Sequence, residues 1–376
     1  MSSPRRTLIV TNDFPPRQGG IQSFVHALAV RQPAGSVVVY ASDHEGSAAF
    51  DAAQPFPVLR HPRSLLVPTP AARRRTVAAL RQHGCTAVWF GAAAPLGLLA
   101  PALRAAGAEQ IVASTHGHEV GWAMLPGARQ ALARIGRGCD VVTYLGEYTR
   151  RRLAPALGEE ATLRRLSPGV DVETFRPEID GTAVRSRHGL VGRPLVVCVS
   201  RLVPRKGQDT LIEALPEIRR RVPAAALLIV GAGPYRTKLA ALAVRRGVTE
   251  HVVFTGAVPH AELPAHFAAG DVFAMPCRTR RFGMDVEGLG IVYLEASAAG
   301  LPVVAGDSGG APDAVLEAET GYVVPGRDSA AVAARVSDLL LDGAARTRMG
   351  AAGRRWVEQD WRWDTIALRL RALLDA

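Results

Sequence analysis

Lysine is almost absent from this sequence. Of its 45 basic residues 43 are arginine, and the two lysines are Lys206 and Lys238. Cysteine is scarce as well: Cys85, Cys139, Cys198 and Cys277 lie far apart, with no Cys-x-x-Cys and no Cys/His metal spacing. That excludes a disulfide framework or a zinc site and fits a reducing cytoplasm. No Asp-x-Asp pair occurs, so a divalent ion holding a sugar diphosphate has no evident anchor, and no metal or cofactor is expected. The opening MSSPRRTLIVTND contains an apolar run too short for a signal-peptide core. The most apolar window, the 18 charge-free residues Thr86 to Leu103, is interrupted by Gly91, Pro95, Gly97 and Pro101. It reads as a strand followed by a helix rather than a membrane span. The net charge of +11 suggests an anionic partner. No recognition helix, stacking motif or basic tract supports nucleic acid as that partner.

What remains is the composition of a folded protein, 376 residues with 48% hydrophobic and 21% charged, long enough for two cores. Short apolar runs alternate with Ala/Leu/Arg stretches of helical period. The first half offers TLIVTND, VVVYAS, PVLRH, AVWFG, QIVAST, VVTYLG and TLRRLS, and the second PLVVCVS, ALLIVGAG, VVFTGA, VFAMPC, PVVAGD and GYVVP. Runs apolar on both faces describe parallel strands with helical crossovers, so each half reads as a doubly wound α/β domain. SPGVDVETFRP, residues 167–177, is the expected linker, dividing a domain 1–175 from a domain 176–354. Such domains imply a cleft, with ligands outside the carboxyl ends of the strands.

The loops after the strands carry the candidate chemistry. TNDFPPRQGGIQSF brings Asp13, then Gly19 and Gly20 before a helix starting near Ile21, a helix N-terminus suited to phosphate or an ordinary glycine turn. VSRLVPRKGQ places Arg201 and Lys206 just past a buried strand, where two cations can neutralise a diphosphate leaving group or simply be solvated. VGAGPYR lacks the third glycine of a dinucleotide fingerprint, which argues against a nicotinamide site. In DVEGLGIVYLEA, Gly288-Leu289-Gly290-Ile291 is expected to start a helix, with Glu287 beside its N-terminus and Glu295 two turns in. Glu295 either meets a ligand's hydroxyls or pairs with an arginine. STHGHE sets His116 and His118 in a loop, too few ligands for a metal.

Taken in order, GGIQSF, STHGHEVGW, SRLVPRKG, VGAGP, VEGLGIVYLE and SGGAPDAV resemble the family-4 retaining glycosyltransferases, which have two Rossmann-like domains facing a deep cleft, the GT-B architecture. The Glu-x7-Glu stretch is specific to that family. TNDFPPRQGGIQSF, THGHEVGWAMLPG and DVEGLGIVYLEA further resemble actinobacterial members that move mannose from GDP-mannose to a phosphatidylinositol mannoside with an α-1,6 linkage. The resemblance implies that the amides of Gly19 and Gly20, with Arg201 and Lys206, contact the diphosphate. Glu287 would contact the donor sugar, and the amides of Gly288, Leu289, Gly290 and Ile291 the sugar and phosphate. Glu295 would contact the ribose and Val258 the base. It sets His116 by the reacting sugar, with His118 as the alternative and Asp13 on the acceptor side. It has the final helix, 355–376, pack back on the first domain. Retention would follow front-face attack, the leaving phosphate taking the acceptor's proton. A lipid acceptor implies a peripheral site at the cytoplasmic face of the membrane. Leu65-Leu66-Val67 beside Arg73, Arg74 and Arg75 is the candidate patch, or else a solvated helix end. Other readings are a different UDP- or GDP-sugar with a different acceptor, an epimerase or phosphorylase on the same fold, and a binding module without catalysis.

Overall fold

A computed structural model describes residues 5–376. β1 (Thr7–Thr11), β2 (Val37–Ser42), β3 (Val58–His61), β4 (Ala87–Phe90), β5 (Gln110–Ser114), β6 (Val141–Tyr144) and β7 (Leu163–Arg165) form one sheet in the order β3-β2-β1-β4-β5-β6-β7. β8 (Leu195–Val199), β9 (Ala226–Val230), β10 (Val252–Gly256), β11 (Val272–Met275), β12 (Val303–Gly306) and β13 (Gly321–Val324) form a second in the order β10-β9-β8-β11-β12-β13. All their ladders are parallel. Each strand coincides with one of the apolar runs expected from the sequence.

Burial on both faces explains those runs. Along β1, Leu8 and Val10 join a core with Leu80, Leu103, Leu132 and Ile135, whereas Ile9 joins another with Val25, Leu28, Ile366 and Leu370. The second sheet lies within one large cluster. Each such aliphatic side chain contributes about 1.5–3 kcal/mol when fully buried. The window Thr86 to Leu103 is β4, a 3-10 turn Leu96–Leu99 and the start of a helix Ala100–Ala105. Among the described residues no helix is long and apolar enough to cross a membrane.

The chain divides into two compact units, Met1–Gly169 with Trp363–Ala376, and Val170–Arg362. The division falls inside the expected linker but before residue 175. The sequence places the return to the first unit at 355; the chain makes it at 363. The helix Gly343–Asp360 buries Met349 and Val357 in the second core, Trp361 follows them, and the Val170 N–H donates to the Trp361 carbonyl at 2.7 Å. Only the last helix, Trp363–Asp375, packs on the first sheet. Within each sheet the strand order reverses once, between β1 and β4 and between β8 and β11. Loops leaving the carboxyl ends there diverge and open a crevice.

Candidate active site

In the second unit the two diverging loops carry opposite charges that meet. After β8 the chain passes Ser200 and Arg201 into a 3-10 turn, Pro204–Lys206; after β11 it runs to the helix Ile291–Ala298. Lys206 Nζ lies 2.7 Å from Glu287 Oε2, with only 11% and 8% of these side chains exposed. Arg205, which sequence reasoning missed, stands 3.9 Å from the same oxygen and 3.8 Å from Asp285. Arg201 is exposed and has no side-chain partner among the described residues. Its carbonyl accepts from Gln208 Nε2 at 3.1 Å, and the same nitrogen donates to Ser200 Oγ at 2.8 Å. One cation is therefore held in place and the other is free to move.

Glu287 is braced from below by the loop after β12. Its N–H donates to Ser308 Oγ at 3.2 Å, and its carbonyl accepts from Gly310 N at 2.9 Å. Gly309 has φ +58°, and a Cβ there would meet the Glu287 carbonyl oxygen at 2.0 Å, so only glycine fits. The helix itself begins at Ile291, because Gly290 sits at φ +80° as its cap. Gly288, Leu289 and Gly290 are thus loop rather than first turn, and Glu295 lies one turn in rather than two. Among the described residues the Glu295 carboxyl has neither a hydrogen bond nor an ion pair, so the arginine partner weighed for it is not there. Burial pushes its carboxyl up to about 7. Val258, in the loop after β10, rests half-buried against the core.

A further network had no sequence signal. Buried Arg278 pairs with Asp209 and donates to Thr210 Oγ1 at 2.9 Å, while Tyr235 OH donates to Asp209 Oδ2 at 2.9 Å. The Arg278 N–H reaches the Arg205 carbonyl at 2.8 Å and so fixes the loop that carries Lys206.

In the first unit, Gly19 caps the helix Gly20–Ala29, and both glycines are exposed. Gln22 Nε2 donates to Asp13 Oδ1 at 2.7 Å. His116 Nε2 is 2.6 Å from the Gly91 carbonyl just past β4, with the ring edge-on to Phe24 at 5.1 Å. Burial lowers its pKa, so the ring is neutral at pH 7, donating through Nε2 and leaving Nδ1 as an acceptor. His118 differs: its side chain is 43% exposed and lies 3.4 Å from Glu119 Oε1. Fully buried Glu119 accepts from the amides of His116 at 3.0 Å and Gly117 at 3.1 Å and thereby holds the loop. Arg73, Arg74 and Arg75 are exposed on the helix Pro70–Gln82, which Thr69 caps through the Ala72 N–H.

Two parallel α/β units, the second with buried opposite charges at its switch point, are the build of an enzyme that handles a nucleotide sugar. Residues 18–174 match the model of Glycosyltransferase Family 4, and residues 182–356 that of Glycosyl transferases group 1. The chain belongs to glycosyltransferase family 4 and has the GT-B fold. It is 56% identical, over 98% of both chains, to the GDP-mannose-dependent alpha-(1-6)-phosphatidylinositol monomannoside mannosyltransferase of Mycobacterium tuberculosis. It is 48% identical, over 100% of this chain and 99% of the other, to the corresponding monoacylated-acceptor enzyme of Corynebacterium glutamicum. HepE of Anabaena, solved in complex with UDP, shares the fold, with a TM-score of 0.80 at 19% identity over 98% of this chain and 99% of its own.

Proposed function

We propose that this protein transfers mannose from GDP-mannose to a phosphatidylinositol monomannoside, with retention and an α-1,6 linkage, at a membrane surface. The observation that carries this reading is the 56% identity along 98% of both chains, which takes in the first unit as fully as the second. Acceptor-side units diverge most within the family, so likeness there bears on the acceptor and not only on the donor.

In this reading Arg201 and Lys206 receive the charge that develops on the β-phosphate as GDP leaves, and Arg205 reinforces them. Loss of one such donor raises a barrier by about 3 kcal/mol. These cations do the work of a divalent ion, and no metal is required. Glu287 accepts from hydroxyls of the donor sugar, Glu295 from the ribose, and Val258 lies against the base. Nδ1 of His116 accepts from a sugar hydroxyl. The leaving phosphate takes the acceptor's proton on the face it departs from.

The protein attaches peripherally to the cytoplasmic face of the membrane through Arg73, Arg74 and Arg75, each contributing about 1 kcal/mol against an anionic surface. Exposed Leu65 and Val67 lie close by in the chain. Making all three arginines Ser is expected to abolish co-sedimentation with anionic vesicles, and unchanged sedimentation removes the attachment. The whole reading is tested with radiolabelled GDP-mannose, a lipid extract and a chelator. Label is expected in a glycolipid with or without chelator; label only in a soluble product overturns the acceptor.

A further inference from the structure

A cavity of about 440 Å³ in the first unit is lined by His61, Arg63, Leu65, Val67, Thr69 and Arg75 among others, none of them acidic. The side chains of Arg63 and Arg75 form no ion pair or hydrogen bond with any described residue. Thr69 caps the thirteen-residue helix Pro70–Gln82 and Ala71 lies in its first turn, so the positive end of the helix dipole faces the cavity. His61 is 7% exposed, and its Nδ1 is bonded to Tyr40 OH at 2.8 Å. With the phenol donating, Nε2 carries the hydrogen and is left for a further partner. Burial, then the charges of Arg75 and Arg63, lower the His61 pKa, and no carboxylate among the described residues raises it.

Arg63, Arg75 and the Nε2 hydrogen of His61 call for an anion, yet Leu65 and Val67 make two of the cavity's walls apolar. Leu65 is 59% exposed and Val67 43%, unusual exposure for such side chains in a single loop. Inorganic phosphate has no use for them. A phosphodiester with apolar substituents matches both the guanidinium groups and the leucine and valine. The position fits the acceptor as well. Asn12 Nδ2 donates to the Leu66 carbonyl at 2.8 Å, and the Leu66 N–H donates to Asn12 Oδ1 at 2.6 Å. This two-way bond fastens the cavity loop to the end of β1, next to Asp13.

We propose that the cavity holds the phosphodiester of the lipid acceptor, with Arg63 and Arg75 on its non-bridging oxygens and Leu65 and Val67 against its glycerol end. This rests on the reading of the acceptor given above. It gives Arg75 a second contact besides the bilayer surface, which Arg73 and Arg74, outside the cavity lining, do not have.

Calorimetric titration of the full chain with a water-soluble short-chain phosphatidylinositol, and separately with inorganic phosphate, tests it. The lipid is expected to bind the native protein at least tenfold more tightly than phosphate does, and to bind Arg63→Ser/Arg75→Ser at least tenfold more weakly. Leu65→Ser/Val67→Ser is expected to weaken the lipid and leave phosphate unchanged. In steady-state transfer the arginine variant raises the KM for the lipid acceptor and not that for GDP-mannose. Unaltered lipid binding by the arginine variant overturns the proposal, and so does phosphate binding as tightly as the lipid. Both arginines are exposed, and matching thermal unfolding curves show that the variants are folded; Arg63→Gln/Arg75→Gln serves as the second pair. Short-chain lipid that binds through these residues while no mannose reaches a phosphatidylinositol mannoside refutes the proposed function and leaves the cavity standing.

Discussion

In the second unit the buried cations near the carboxyl ends of the strands are paired, Lys206 with Glu287 and Arg278 with Asp209, while exposed Arg201 is not. On its helices Arg220 pairs with Glu217 and Arg221 with Asp338. In the first unit the helices Pro70–Gln82, Ala100–Ala105 and Pro126–Gly138 contain eight arginines and no acidic residue. Arg63, Arg73, Arg74 and Arg75 meet no carboxylate there. Charge that is neutralised internally prepares a defined polar site, because a buried pair keeps its geometry and a lone buried charge does not survive. Charge left open prepares a surface for something anionic brought from outside. The arginine excess noticed first in the composition therefore has two meanings: paired guanidinium groups, Arg60 with Asp51 and Arg278 with Asp209 among them, and an open set at Arg63, Arg73, Arg74 and Arg75.

The sharpest way to break this contrast is Lys206→Ala. Turnover is expected to fall by about two to three orders of magnitude. Stability should fall by about 1–3 kcal/mol, since buried Glu287 keeps only Arg205, 3.9 Å away. Adding Glu287→Gln should restore most of the thermal stability and none of the turnover. Wild-type turnover in the alanine variant would show that the pair is merely structural.

Next in size is Arg73→Ser/Arg74→Ser. Two exposed cations contribute about 2 kcal/mol against an anionic bilayer, so vesicle binding should weaken roughly thirtyfold at low salt and the difference should shrink as salt is added. Melting temperature should hardly move. A loss of stability as large as that of Lys206→Ala would erase the distinction between the units.

The smallest effect concerns Glu295. Its carboxyl is raised to about 7 by burial alone. The folded protein therefore keeps a proton that the unfolded chain releases near the ordinary glutamate range. Stability contributed by this group is full below about pH 4.5, declines as pH rises, and levels off above 7. Ribose hydroxyls donate best to the ionised form, so GDP affinity should rise by a fewfold between pH 6 and 8. Glu295→Gln should flatten both profiles, as calorimetry and melting curves at a series of pH values would show; a slope that persists in the variant assigns the titration elsewhere.

Much of the fold was legible because parallel strands buried on both faces appear in sequence as continuous apolar runs, VVVYAS and LLIV among them. The helix after Glu287 was misplaced because a Gly-Leu-Gly start looks alike whether the glycines are helical or, as at Gly290, left-handed. The return of the chain was misplaced because Trp361 and Trp363, two residues apart, are packed by different units, and local hydrophobicity is identical for both. The different surroundings of His116 and His118 come from the Gly91 carbonyl and the buried Glu119, neither of which a loop sequence discloses.

By itself the sequence determined the set of strands, the loops that follow them, and the residue types placed on those loops, because each depends on neighbours a few positions away. Which charge finds a partner was decided only by the tertiary structure. β8 lies beside β11 although other strands separate them in the chain, and that adjacency alone sets Lys206 against Glu287 and Arg278 beneath Arg205. The same holds for the open cavity, where β1, β3 and a helix start gather Asn12, His61 and Arg75. Charge pairing is a matter of ångströms in space, and the order of strands in the sheet, not their order in the chain, supplies them.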